Sequence, residues 1–242
     1  MARSGSNLDL VMGGKMAIRP LFVPAYEPGC LIERVELDFK WHAGFAASQK
    51  QKSIQSLHEA ASARGYGKVL EISSKSENPL GVKLSAFNLK LRVADGEFVS
   101  VENAYQAGKC FEGGGPFLDL LRGSAREAKQ DIRLTKSGNL LAFQFNGERW
   151  PLIPVTAFYD WLYLNALKES PGLSEQLIAY EGFTDIEFNP ERSLNCQAAS
   201  AALFVSLVRR GELDSTMASR GSFLARLALP NARSGDVQSS LF

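Results

Sequence analysis

Between Val35 and Trp41 the chain alternates without a break. Val35, Leu37, Phe39 and Trp41 are apolar, and Glu36, Asp38 and Lys40 between them are charged. Successive side chains of a strand point to opposite faces, so this period of two predicts a half-buried strand over 32–41. The next segment changes period. Ile54, Leu57, His58 and Ala61 recur at helical spacing, which predicts a helix over 48–64 capped by Ser48 and ended by Gly65 and Gly67. A strand followed by an amphipathic helix places the chain in the mixed α+β class.

Composition narrows the chemistry. The chain has 242 residues, 45% of them apolar and 22% charged, which is ordinary for a folded domain and foreign to disordered or collagen-like chains. Basic and acidic residues number 27 and 26, so bulk charge predicts neither a nucleic-acid coat nor a membrane-surface protein, although a local basic groove is allowed. No apolar run reaches the roughly 18 residues of a membrane span, and no membrane partner is expected. The cysteines Cys30, Cys110 and Cys196 are odd in number and far apart, which speaks for a reducing compartment. With His42 and His58 as the histidines and no C-x-x-C, neither a zinc site nor any other cofactor is expected. The stretch Leu8–Met12 is too short for a signal peptide and is broken by Asp9, so a cytoplasmic location is expected. Met16 opens a plausible start, with the residues before it an extension.

The remaining elements follow from turn residues and periodicity. Val69–Ile72 reads as a short strand running into the polar loop 73–76, and 80–91 and 97–99 as two strands joined around Asp95-Gly96. Ser100 caps a helix from 101 to about 111, broken by Gly113–Pro116. Short helices at 117–122 and 124–131, a hairpin over 139–150 turning at Asn146-Gly147, and helices at 154–168 and 173–180 come next. Residues 183–188 are strand-like, 195–210 form an alanine- and leucine-rich helix, and the tail from Pro230 reads as unfolded. No linker divides the chain. We expect an extension over 1–17, one domain over 18–212 and a partly disordered C-terminal segment over 213–242.

One stretch can carry chemistry. On a helix, Glu102, Gln106 and Lys109 lie within about 40° of one another, because each residue turns about 100°. A carboxylate, an amide and an amine on one face can bind a polyhydroxyl ligand and move protons. The same spacing also describes an ordinary solvated helix face. After the strand at 69–72, Ser73, Ser74 and Lys75 offer hydroxyls, backbone N–H groups and a charge to a pyrophosphate, or form a plain loop. Phe87, Tyr105 and Trp150 are candidates for stacking on a base or for the core. Asn88 and Asn195 are candidates for ribose hydroxyls, Asn195 alternatively for a helix cap. His58 reads as a core residue.

Residues 85–111 resemble the NADAR superfamily, which includes the YbiA-like proteins. Ser85-Ala86-Phe87-Asn88 precedes Gly96 and Phe98, and then Ser100-Val101-Glu102-Asn103-Ala104-Tyr105-Gln106-Ala107-Gly108-Lys109. Asn195 followed by the small-residue run Ala198 to Arg209 matches the family's last motif. Residues 19–24, 48–60, 69–76 and 183–197 are similar to the NADAR antitoxins encoded beside DarT-type toxins, so the resemblance covers roughly 18–212. Asn103 stands where the wider superfamily has a histidine, and Phe183–Phe188 replaces its Trp-Gly loop. Both departures suit the antitoxin branch.

The resemblance implies a single YbiA/NADAR-like α+β domain, mainly helical with short strands and an N-terminal strand-helix elaboration. It also implies an N-glycosidase that removes ADP-ribose from guanine bases of DNA, releases ADP-ribose and counters a DarT-type toxin. Cleaving such a bond builds positive charge on the ribose, which a carboxylate stabilises. Glu102 is the candidate for that role, and Lys109 for proton donor, hydrogen-bond donor or nucleophile at C1′. Ser73, Ser74, Lys75, Ser85, Phe87, Asn88, Tyr105, Gln106, Asp185, Glu187 and Asn195 are the candidate ligand-binding residues. Lys50, Lys52, Lys68, Lys75 and Arg92 are candidates for a basic rim against DNA. Alternative readings are a YbiA-like glycosidase of riboflavin-pathway intermediates, or a non-catalytic protein that neutralises the toxin or binds ADP-ribose.

Overall fold

The structure is a computed structural model that describes residues 15–27, 29–44, 46–191, 193–229 and 233–234. Its chain opens with strand β1 (Lys15–Pro24), which pairs antiparallel along its whole length with β2 (Ile32–Trp41). β2 has the bounds that the alternation predicts. β1 went unread in the sequence because prolines at 20 and 24 mask a strand pattern. It meets a later strand, β9 (Gly182–Thr184), at the Phe22–Phe183 pair, two residues beyond Pro20.

Helix α1 (Ala47–Ala63) covers one face of this hairpin. Leu21, Leu37 and Phe39 bury against Ile54, Leu57 and Ala61, each large side chain contributing about 1.5–3 kcal/mol relative to exposure. The helix starts at Ala47 with no side-chain cap, so Ser48 does not have the capping role expected of it. Strand β3 (Val69–Glu71) follows.

The predicted strand over 80–91 is overturned. Residues Pro79–Lys83 form α2, because Asn78 accepts the Leu80 N–H at its start and Pro79 presets the first helical φ. The Asp95-Gly96 hairpin survives as β4 (Lys90–Arg92) and β5 (Phe98–Ser100). Ser100 then caps α3 (Val101–Ala107) by accepting the Asn103 N–H. α3 is shorter than expected. It stops at Gly108, and Lys109 opens β6 (Lys109–Phe111). A Cβ at Gly108 would meet the Gln144 carbonyl and the Phe158 ring at 2.8 Å, so glycine lets the chain turn from helix to strand against packed neighbours.

A 3-10 turn (Leu118–Leu121) leads to α4 (Ala125–Gln130), which Ser124 and Glu127 close with a reciprocal capping box, and then to α5 (Arg133–Lys136). β7 (Leu140–Phe145) and β8 (Glu148–Trp150) form the expected hairpin, with Asn146 and Gly147 both at positive φ in the turn. α6 (Ala157–Lys168) and α7 (Pro171–Leu177) precede β9 (Gly182–Thr184), which is shorter than the strand read over 183–188.

α8 (Gln197–Arg209) is buried from Gln197 to Leu207, and its alanines allow α6 and the sheet to approach closely. α9 (Leu213–Thr216) and α10 (Arg220–Ala228) extend the core past residue 212, with Phe223 fully buried against Trp150 and Trp161. β10 (Arg233–Ser234) adds a parallel edge to β2. Most of the tail from Pro230 lies outside the described residues. The large sheet has the order β10-β2-β1-β9-β3, so the N-terminal hairpin forms its middle. No helix among the described residues is long and apolar enough to cross a membrane.

Candidate active site

α3 brings Glu102 inward. The residue is 5% exposed, and Gln106 one turn later donates its amide N–H to Oε1 at 2.8 Å. Gln106 must present nitrogen there, because an ionised carboxylate only accepts. Its own Oε1 is thereby left buried without a partner. Lys109 reaches the same place from β6 and not from the helix, so the four-and-three spacing is not what unites the group. Its ammonium lies 4.7 Å from the centre of the Tyr105 ring and feels the Glu102 charge. Burial lowers the Lys109 pKa from an ordinary 10.5 to about 8, partly offset by Glu102 and reinforced by a second amine, Lys129.

Lys129 was not singled out in the sequence. It stands on α4 with its side chain 57% exposed, and its Nζ lies 3.8 Å from Glu102 Oε1 and 5.2 Å from the centre of the Phe87 ring. The cluster is thus a carboxylate with one amine 3.8 Å away and a second that feels its charge, with aromatic faces beneath both cations.

Tyr105 carries the cluster toward the start of α8. Its hydroxyl accepts from Asn195 at 2.6 Å and its ring packs edge-on against Tyr159. Burial, first, and then the Glu102 charge push the Tyr105 phenol up, so it stays neutral. Asn195 does not cap α8. Its amide oxygen is buried and unpartnered.

A second polar group sits around β3 and β9. Glu71 accepts from Thr184 at 2.6 Å and from the Ile186 N–H at 2.9 Å. Asp185 is buried beside it, accepting from the Glu187 N–H at 3.0 Å and bonded to Gln197. Burial raises the pKa of both carboxyls, and the Glu71 charge raises Asp185 further. Asp185 also acts on Tyr159, which faces Glu102, so the two groups flank one tyrosine. Gln197 ties the region together, donating to the Ile72 carbonyl at 2.6 Å and accepting from the Ala86 N–H at 2.8 Å.

The remaining expected site residues fall into different settings. Ser73 turns inward, where it bonds Glu71 and accepts the Lys75 N–H, while Ser74 is exposed and Lys75 half-buried. Ser85 is buried and shapes the turn that presents Phe87, its carbonyl accepting from Asn88 and Leu89. Asn88 is exposed and donates to the Val82 carbonyl within the same turn. Glu187 is exposed and pairs with Lys50 at 3.2 Å. Trp150 belongs to the core. The residues of the expected basic rim lie on several elements. Lys50 and Lys52 lie on α1, Lys68 and Lys75 at opposite ends of β3, and Arg92 covers the Phe98 ring on β4.

Asn103 is buried on the first turn of α3. It donates to the Leu120 carbonyl at 2.7 Å and accepts from Ser100, fastening α3 to the 3-10 turn. A cavity of about 1180 Å³ opens beside it, lined by Phe87, Lys90, Phe98 and Arg122 among others but not by Glu102, Lys109 or Lys129. Among the described residues no cluster of histidine, cysteine or carboxylate groups could hold a metal ion.

A comparison with curated proteins gives no match. The model of one protein family, the DarT1-associated NADAR antitoxin, matches residues 17–235. That span takes in nearly all of the N-terminal hairpin, the Glu102 cluster and the helices after residue 212, and the chain belongs to the family of DarT1-associated NADAR antitoxins.

Proposed function

We propose that this antitoxin is an N-glycosidic bond hydrolase that removes ADP-ribose from guanine bases of DNA. The observation that carries the reading is the buried Glu102 carboxylate, held by Gln106, paired with Lys129 at 3.8 Å and acting on the charge of Lys109. As the bond between ribose C1′ and the guanine nitrogen breaks, its electron pair leaves with the base and C1′ gains cationic character. Glu102 stabilises that charge and takes a proton from the attacking water, whose oxygen bonds to C1′. The Lys109 ammonium gives a proton to the departing guanine, and a pKa near neutrality suits a group that must both hold and release it. Phe87, beside the 1180 Å³ cavity, offers an aromatic face to a base or to adenine. The products are free ADP-ribose and unmodified guanine, so the functional partner is a DarT-type toxin whose lesion is reversed. A base within a duplex hides this bond, so exposed or single-stranded guanine is the expected substrate.

The test is release of ADP-ribose from a single-stranded oligonucleotide carrying one ADP-ribosylated guanine. Wild type should release it, and Glu102→Gln, folded by circular dichroism, should be slower by roughly 10²–10⁴-fold. Equal turnover by the two proteins removes Glu102 from the mechanism, and no turnover by wild type removes the glycosidase reading. Borohydride trapping of a covalent sugar adduct on Lys109 would reassign that residue from proton donor to nucleophile.

A further inference from the structure

Lys109 is surrounded by few charges. α3 faces it with Glu102 and the neutral phenol of Tyr105, and α4 with Lys129. β7 places Phe143 opposite it, and the turn at Gly113–Gly115 packs on its backbone without a titratable group. Glu102 therefore answers to two amines. Lys129 lies 3.8 Å from Oε1, the oxygen that also accepts from Gln106, and its position is steadied by the Phe87 ring. An ammonium placed there claims part of the carboxylate's charge and repels a second ammonium.

We propose that Lys129 is a positioning residue that acts through Glu102 and Lys109: it shares the carboxylate, and so leaves the Lys109 ammonium under-compensated and ready to release its proton. The partial burial of Lys109 points the same way, because desolvation and the Lys129 charge both oppose its protonation. The consequence for catalysis rests on the glycosidase reading above, but the electrostatic claim does not. A lysine on an exposed face of a separate helix thereby adds to the effect of burial on the acidity of one in the site.

The experiment reads Lys109 directly. The pH dependence of Lys109 carbamylation by cyanate, followed by peptide mass spectrometry, reports its free-amine fraction with no DNA present. Against wild type, Lys129→Met should move the midpoint upward by roughly half a unit to one unit, Lys129→Glu should move it further, and Lys129→Arg should restore it. An unchanged midpoint in Lys129→Met overturns the proposal, as does an equal rise in Lys129→Arg, which would make shape and not charge the cause. If the oligonucleotide is turned over, the alkaline limb of the pH–rate profile should follow the same order. A shifted carbamylation midpoint in a protein that turns nothing over would uphold the electrostatics and sink the glycosidase reading alone.

Discussion

Replacing Lys109 by Met should make the protein more stable and inactive at once. The amine's pKa falls from 10.5 to about 8 on folding. At pH 7 the ammonium is therefore charged in both states, at a cost in the folded one. Each unit is worth about 1.36 kcal/mol, so the full shift sets an upper bound of roughly 3 kcal/mol. Solvent reaching the partly exposed amine reduces the usable figure to about 2 kcal/mol. Met keeps the length of the side chain and its packing on Tyr105 without a charge. Between about pH 8 and 10.5 the unfolded chain holds a proton that the folded one has lost, so wild-type stability should rise with pH across that window. The advantage of Lys109→Met should then be about 2 kcal/mol at pH 7, worth roughly 4–8 °C in Tm, and should vanish near pH 10. Urea titrations of both proteins at pH 7, 8.5 and 10 measure it. A variant less stable than wild type at pH 7, or a gap independent of pH, would refute the reasoning.

Three other outcomes follow from the same geometry. Burial lowers the His58 pKa from 6.5 to about 4, so stability should be lost as the pH falls from 6.5 toward 4, and His58→Gln should flatten that acid limb in a thermal-melt series. Gln197→Leu strips partners from the Ile72 carbonyl, the Ala86 N–H and Asp185, and should cost roughly 2–4 kcal/mol in urea unfolding; a cost under about 1 kcal/mol would show that these groups find other partners. A Cβ at Gly81 would overlap the Glu71 carbonyl oxygen and the Ser76 hydroxyl, so Gly81→Ala should lose about 2 kcal/mol or more, whereas Gly172→Ala, where nothing stands in the way, should leave the melting temperature within a degree or two.

The local features read from sequence are those set by neighbouring residues. The alternation over 32–41 delivers β2 to the residue, Ser100 caps α3, and Asn146-Gly147 turns the β7–β8 hairpin. Where structure and expectation differ, local punctuation outweighs the apolar runs. Asn78-Pro79 starts a helix where the apolar run predicts a strand. Gly108 stops α3 before Lys109, where the apolar pattern predicts that the helix continues. Glu102, Gln106 and Lys109 were nonetheless grouped, because a turn into β6 keeps Lys109 beside the helix that it leaves.

The sequence by itself determined that Glu102 and Gln106 share one helix face, since a four-residue step returns to the same side of any α-helix. It also determined the family, through motifs spread over most of the chain. Only the tertiary structure decided that Lys129 completes the group. Nineteen residues, with a glycine turn and a 3-10 turn among them, separate it from Lys109, and no periodicity links them. Tertiary packing alone likewise sets Asp185 against Glu71 by laying β9 parallel to β3, so that two carboxyls distant in the chain compete for one dry space. Charge acts through distance in space, and the fold is what converts separation along the chain into that distance.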